Sequence, residues 1–235
     1  MELSEIEATW DARAEDYDKE ADHGLLDADT RRAWKDLLRT WLPSTPGVVG
    51  DFGCGTGTLS VVAAELGHEV QAFDLSAEMV ERARVKTTQF GAAVHVLKAD
   101  VSDPPVAPQT FDAVFSRHVL WTLPDPVASL RRWASTLRPG GRMVLVEGFW
   151  GSEDADSGDK PQLPWRTGVT AAELREAVAP LATAVRVVPL DDPVYWGKPI
   201  DHERFLLAAD IAEDLPAAPP VAATLESSDL PAGHA

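Results

Sequence analysis

Between residues 30 and 150 the chain alternates short apolar runs with segments whose apolar positions recur every three or four residues. Ala33, Trp34, Leu37, Leu38, Trp41 and Leu42 fall on one face at helical spacing, which predicts an amphipathic helix laid on a core. VVGDF (48–52) is apolar and ends in turn residues, the pattern of a buried strand. TLSVVAAEL (58–66) reads as a helix stopped by Gly67, and EVQAF (69–73) as a second strand. Ser76 is placed to cap a helix running to about residue 89. VHVL (94–97) and FDAVFS (111–116) give strands three and four. Asp125 followed by Pro126 opens a helix to about residue 137, RPGG (138–141) makes a turn, and RMVLVE (142–147) is strand five. Thr170 and Glu173 form a capping box for a helix to about residue 178, and AVRVVPL (184–190) and RFLLAA (204–209) are two late strands.

Strands separated by helices of this length call for right-handed crossovers. The expected fold is therefore α/β: a doubly wound, Rossmann-like, mostly parallel sheet of seven strands with helices on both faces. Residues 1–29 are expected to form a helical N-terminal lid segment and residues 30–211 the main domain. Within that domain, residues 151–168 read as a mobile loop near the acceptor side. Residues 212–235, rich in Ala, Pro, Ser and acid, read as a disordered acidic tail.

Charge sharpens this division. The net charge is −17, yet residues 30–150 hold 13 basic and 12 acidic side chains. Residues 1–29 hold 11 acidic against 2 basic, so the acidity belongs to the edges and the lid reads as mobile and solvated. Such a balance disfavours nucleic acid and anionic membranes as partners. The single cysteine, Cys54, excludes an internal disulfide, and no cluster has metal-ligand spacing, so no metal is expected. The polar start and the lack of a long apolar run predict a cytoplasmic protein.

The strongest local feature is Asp51-Phe-Gly-Cys-Gly-Thr-Gly57, placed between the first strand and its helix. Gly53, Gly55 and Gly57 allow a tight turn and close approach of a ligand. Asp74, at the end of strand two, can accept both hydroxyls of a ribose. A dinucleotide loop places its third glycine one position later and wants free amides facing a pyrophosphate. Here Asp51 precedes the loop, and a carboxylate there repels a diphosphate and attracts an ammonium. A cationic nucleoside fits better than NAD. Neither Tyr17 nor Tyr195 begins a Tyr-x-x-x-Lys pair, which further disfavours an NAD-dependent oxidoreductase.

Over residues 10 to 150 the chain resembles the class I S-adenosylmethionine-dependent methyltransferases, of the small-molecule methyltransferase-domain kind. VVGDFGCGTG resembles the family's first motif, AFDLS its second, and Lys98-Ala-Asp100-Val101 its adenine segment. FDAVFSRHVLWTLPDP and LRPGGRMVLVE resemble the fourth- and fifth-strand motifs, and Trp10 to Tyr17 the aromatic segment that closes over the cofactor. The resemblance implies that Asp51, with Gly53, Cys54 and Gly55, holds the methionine part of S-adenosylmethionine. It puts Asp74 on the ribose, Leu75 and Met79 against adenine, Asp100 on the adenine amino group and Val101 beside it. Ser116 and Arg117 would line the methionine end, and Trp10 and Tyr17 would cover the cofactor.

Methyl transfer needs a base only where the acceptor must lose a proton. His118, just past strand four, is the candidate; a structural histidine is the plain alternative. Trp121, Trp150 and Trp196 lie at element ends and are candidates to wall a pocket for an aromatic or heterocyclic small molecule, whereas Trp34, Trp41 and Trp133 read as core. His68 and His95 read as surface residues, and His202 as a distant candidate. Cys54 reads as a small residue filling a tight loop. Three functions stay open at this level: a methyltransferase, an oxidoreductase, and a cofactor-binding sensor without turnover. The acceptor atom, nitrogen, oxygen or carbon, is open as well.

Overall fold

The computed structural model describes residues 3–151 and 163–213. In chain order it holds α1 (Leu3–Arg13), α2 (Ala21–Gly24), α3 (Ala28–Trp41), β1 (Val48–Phe52), α4 (Thr58–Glu65), β2 (Glu69–Asp74), α5 (Ala77–Thr87) and β3 (Val94–Lys98). There follow β4 (Phe111–Arg117), α6 (Pro126–Thr136), β5 (Leu137–Phe149), α7 (Ala171–Val178), β6 (Ala182–Pro189) and β7 (Glu203–Ile211). The centre of the expected acceptor-side loop, 152–162, and nearly all of the expected tail, 214–235, lie outside the described residues.

The seven strands form one sheet in the order β3-β2-β1-β4-β5-β7-β6. Strands β1 to β5 pair in parallel, while β7 runs antiparallel to both β5 and β6. The order reverses between β1 and β4. Crossovers leave these two strands toward opposite sides, which opens a crevice at their carboxyl ends. The glycine loop follows β1 and His118 follows β4, so both stand at that crevice.

Helices cover both faces. On one, Trp34 and Leu38 of α3, Val62 of α4 and Ala83 of α5 are buried against Val49, Ala72 and Phe115. On the other, Leu130 and Trp133 of α6 and Leu174 and Val178 of α7 pack on Phe52, Phe73 and Phe111. Each such large side chain contributes about 1.5–3 kcal/mol on burial. Trp34 and Trp133 are fully buried and Trp41 partly so. The helix starts follow their caps: Asp27 accepts from the amides of Asp29 and Thr30, Ser76 from Met79, and Asp125 from Ala128 with Pro126 at the first turn. The Thr170–Glu173 capping box is formed in both directions.

Two local expectations change. RPGG (138–141) is not a separate turn but an outward bulge within β5. Phe111 pairs with Leu137 and Ala113 with Arg142, so four residues oppose Asp112 alone, and Gly140 takes a φ of +74° to make the bend. His68 is buried rather than on the surface: it accepts the Gly47 amide on Nδ1 at 3.3 Å, closing the amino-terminal edge of the sheet.

Candidate active site

The glycine loop is locked to the second strand. The amides of Gly53 and Cys54 donate to the Phe73 carbonyl at 2.8 and 2.9 Å. The Gly55 amide donates to Asp74 Oδ2 at 2.8 Å, and the Ser76 amide to Oδ1 at 2.9 Å. The amides of Gly53, Cys54 and Gly55 are thereby committed inside the protein. The loop offers a ligand only its carbonyl edge and the space where side chains are missing. A Cβ on Gly53, whose φ is +76°, would come within 2.2 Å of the Val119 side chain.

A cavity of about 630 Å³, counting its open mouth, lies over this loop. Trp10, Tyr17, Gly53, Gly55, Asp74, Leu75, Met79, Asp100, Val101, Arg117 and His118 all reach it, as the sequence suggested. Leu3, Ile6, Val119, Thr122, Leu123 and Pro124 line it too, and none was singled out. Val119 to Pro124 fall inside the fourth-strand motif, whereas Leu3 and Ile6 carried only their apolar character. Each Asp74 oxygen accepts one amide and keeps a lone pair for a hydroxyl. Asp100 is held the same way, accepting from the Ser102 amide at 2.8 Å and its hydroxyl at 2.7 Å. Two carboxylates, a carbonyl edge and apolar walls fit the ribose, amino and cationic groups of S-adenosylmethionine. They do not fit a pyrophosphate, which needs the amides that are turned away.

Three expected cofactor contacts lie outside this cavity. Asp51 is buried beneath the loop and accepts the Ser60 hydroxyl at 2.5 Å. Burial pushes its pKa up to about 7, against the opposing pull of Ser60 and Arg117. Ser116 is buried and donates to the Phe52 carbonyl at 2.7 Å. Cys54 packs into the core, its thiol raised well above the ordinary value by burial. Sequence order puts all three at the loop, but strand alternation turns Asp51 of β1 and Ser116 of β4 into the protein, and Cys54 packs against the core.

The N-terminal segment covers the cavity and is latched rather than merely solvated. Glu7 pairs with Lys98 at 2.5 Å, Asp11 accepts from Ser76 at 2.5 Å, and Asp18 holds Lys86 at 2.7 Å and Thr56 at 2.5 Å. These acids meet bases and hydroxyls of the main domain, so part of the acidic N-terminus is a fastening. Tyr17 stacks on His23 with ring centroids 4.1 Å apart, and Trp10 meets Tyr17 and Trp121 edge-on.

A second, wider cavity of about 1400 Å³, counting its open mouth, adjoins the first. Trp121, Trp150 and Trp196 line it, joined by Asp22, His23 and Arg204, which sequence reasoning did not single out. Trp196 is buried, its indole N–H donating to the Leu190 carbonyl at 2.7 Å. Trp165, by contrast, packs on the core of the opposite face, and His202 is exposed and pairs with Asp201. Trp10, Tyr17 and His118 belong to both cavities, so the three form the junction between them.

His118 occupies a left-handed turn, φ +56°, a conformation a non-glycine residue adopts only when held there. Glu147 holds it. Glu147 Oε1 accepts the amides of Val119 and Leu120 at 3.1 and 3.0 Å, gripping the chain just past the histidine. Glu147 Oε2 lies 3.9 Å from His118 Nδ1. The imidazole stands between Trp150 and Trp196, at 5.5 and 5.7 Å. Burial, reinforced by Arg117 and Arg204, holds the imidazole well below its usual pKa, while burial pushes Glu147 up to about 8. Glu147 is a residue the sequence reading missed; its signal was a charged residue ending an otherwise apolar strand.

An open, mostly parallel sheet with this strand order, a committed glycine loop and an acid at the end of β2 make a Rossmann-like fold. Residues 50–145 match the family model of the methyltransferase domain. Over those residues the chain is thus similar to methyltransferase domains. It is 41% identical over 96 residues to the ubiquinone biosynthesis O-methyltransferase of Xanthomonas euvesicatoria pv. vesicatoria, which covers 40% of each protein. The chain therefore matches about two fifths of the length of that curated relative. Among solved structures it resembles the Haemonchus contortus phosphoethanolamine N-methyltransferase 2 complex with S-adenosylmethionine, with a TM-score of 0.62, 18% identity and coverage of 77% of this chain and 52% of that one. It also resembles the [4+2]-cyclase SpnF, with a TM-score of 0.63, 17% identity and coverage of 77% and 81%. These structural likenesses establish the fold. Among the described residues no helix is long and apolar enough to cross a membrane, and no group of His, Cys, Asp or Glu is placed to hold a metal ion.

Proposed function

We propose that this chain is an S-adenosylmethionine-dependent methyltransferase acting on a small aromatic or heterocyclic acceptor. The observation that carries this reading is the junction of two cavities at Trp10, Tyr17 and His118. One cavity suits a cationic nucleoside, the other a flat aromatic molecule, and they meet at a histidine. When bound, S-adenosylmethionine supplies an electrophilic methyl group. Asp74 holds the ribose diol, and Asp100 the adenine amino group with Leu75, Met79 and Val101 around the ring. Residues 1–29 act as the lid, Trp10 and Tyr17 excluding water from the junction. Trp121, Trp150 and Trp196 fix the plane of the acceptor, which brings its reacting atom to attack distance. Asp51 acts from beneath the loop through its field rather than by contact.

His118 is the general base, taking a proton from the acceptor on Nε2 while Nδ1 faces Glu147. A base of this kind favours an acceptor hydroxyl, in keeping with a relative named as an O-methyltransferase. Calorimetry with S-adenosylhomocysteine and with NAD tests the cofactor. S-adenosylhomocysteine binding without NAD binding is expected, and the reverse overturns the reading. Incubation with methyl-labelled donor and a panel of hydroxylated aromatics tests turnover. Cofactor binding with no transfer to any acceptor would instead mark a sensor.

A further inference from the structure

Arg204 projects from β7 into the wider cavity with no ionic partner among the described residues. Its guanidinium carbon lies 4.9 Å from the Trp150 ring centroid and 5.7 Å from that of Trp196. Its one hydrogen bond is to the neighbouring Glu203 carbonyl at 3.0 Å. Most other charged groups of this cavity have partners of their own. Lys198 meets Glu20 at 3.9 Å and Asp16 meets Lys19 at 2.5 Å, while Asp22 lies 3.7 Å from His23, whose pKa burial lowers. Arg13 lies over Trp10. No carboxylate of the described residues comes within ion-pair distance of Arg204, although Asp22, Glu147 and Asp201 act on it at longer range.

The glycine opposite leaves room beside this side chain. Gly148 is the β5 residue paired with Arg204, and a Cβ there would fall 2.4 Å from the Glu203 carbonyl, 2.7 Å from Arg204 Cδ and 2.8 Å from its Nη1. Two indoles and a missing side chain therefore build a slot around a planar cation. In a chain of net charge −17, leaving this cation unpaired calls for a counter-ion supplied from outside.

We propose that Arg204 anchors a carboxylate carried by the acceptor, so that the substrate is a planar aromatic acid. This rests on the methyltransferase reading for the identity of the cavity. A guanidinium binds a carboxylate through two parallel N–H donors, and the flanking indoles then set the ring plane. Burial pulls the Arg204 guanidinium below its ordinary pKa, the state of a charge waiting for a partner. Arg204 also helps hold the His118 imidazole down. A bound carboxylate offsets that field, so the base strengthens when the substrate is seated.

The test pairs benzoate, hydroxybenzoates and 2-naphthoate each with its neutral primary amide. Binding is followed by tryptophan fluorescence, with and without S-adenosylhomocysteine. At least one acid is expected to bind the native chain about tenfold or more tighter than its amide, the scale of a charged hydrogen-bond pair. Arg204→Met should bring the two together while S-adenosylhomocysteine affinity, the check on folding, stays unchanged. The proposal is overturned if no acid is preferred, or if the preference survives in Arg204→Met. Failure of the native chain to bind S-adenosylhomocysteine would overturn the methyltransferase reading instead, and the acid-to-amide ratio without cofactor still decides the role of Arg204.

Discussion

His118 Nδ1 faces Glu147 Oε2 at 3.9 Å, and both atoms are buried without a hydrogen-bond partner among the described residues. The other Glu147 oxygen is already fixed by two amides, so only Oε2 is free to settle the histidine tautomer. A base acting on Nε2 needs its ring proton on Nδ1, and an ionised Glu147 enforces that arrangement. With Glu147 titrating at about 8, kcat/KM should rise between pH 7 and 9. Glu147→Gln keeps the two amide bonds and points its NH₂ at Nδ1, which puts the ring proton on the wrong nitrogen. It should lower kcat by about 10²-fold or more, abolish the rise near pH 8, and leave KM and S-adenosylhomocysteine affinity within about twofold. A Glu147→Gln enzyme with native kcat and the native pH profile would dismiss Glu147 as a positioning residue.

The same residues tie stability to pH. Glu147 and Asp51 have folded pKa values of about 8 and about 7, above the ordinary carboxylate values of 4.5 and 3.8. Between the unfolded and folded values the folded chain binds more protons, so stability is greatest at the acid end and declines as pH rises. Each group contributes a slope of up to about 1.4 kcal/mol per pH unit over its own window. The buried histidines, held below their ordinary 6.5, oppose this at lower pH, so urea midpoints should fall from pH 6.5 to pH 8. Glu147→Gln and Asp51→Asn should each flatten the decline, and a midpoint constant across that range in the native chain would contradict both shifts.

Asp74 joins the loop to the ligand, so its removal should act on both. Its two oxygens accept the Gly55 and Ser76 amides at 2.8 and 2.9 Å, and their remaining lone pairs face the cavity. Asp74→Ala should weaken S-adenosylhomocysteine binding by about 1–3 kcal/mol. Asp74→Asn should do little better, because its NH₂ must face one of the two backbone N–H groups. Native affinity in either variant would show that the ribose lies elsewhere.

What the sequence showed and what it hid have separate physical causes. The strands, the caps at Ser76, Asp125 and Thr170, and the glycine loop are written in local patterns: apolar periodicity, side chains that bind nearby amides, residues that tolerate positive φ. Asp74, an acid at a strand end, and Asp100 and Arg117, which the resemblance implied, all line the first cavity. Asp51 and Ser116 lie outside it, because a motif fixes chain position but not the direction a side chain takes. Glu147, marked only by a charge at the end of an apolar run, and Arg204, not marked at all, were missed for another reason. They come from β5 and β7, whose pairing brings together residues 57 positions apart in the chain, and no local pattern reports that juxtaposition. The acidic N-terminus read as a solvated face because the bases it meets, Lys86 and Lys98, belong to other elements.

Asp51 provides a test of how charge reaches the cofactor through the loop. Titrating at about 7, it is roughly half protonated at neutral pH, with Ser60 as its only hydrogen-bond donor among the described residues. A cationic ligand in the adjoining cavity favours the carboxylate and draws the pKa down. Binding of S-adenosylmethionine at pH 7 should therefore release roughly half a proton. Calorimetry in buffers of different ionisation enthalpy measures this directly. The release should shrink at pH 8.5, where the group is already ionised, and vanish in Asp51→Asn, whose amide oxygen still accepts from Ser60. Proton uptake, or release that persists in Asp51→Asn, would place the titrating group elsewhere in the site.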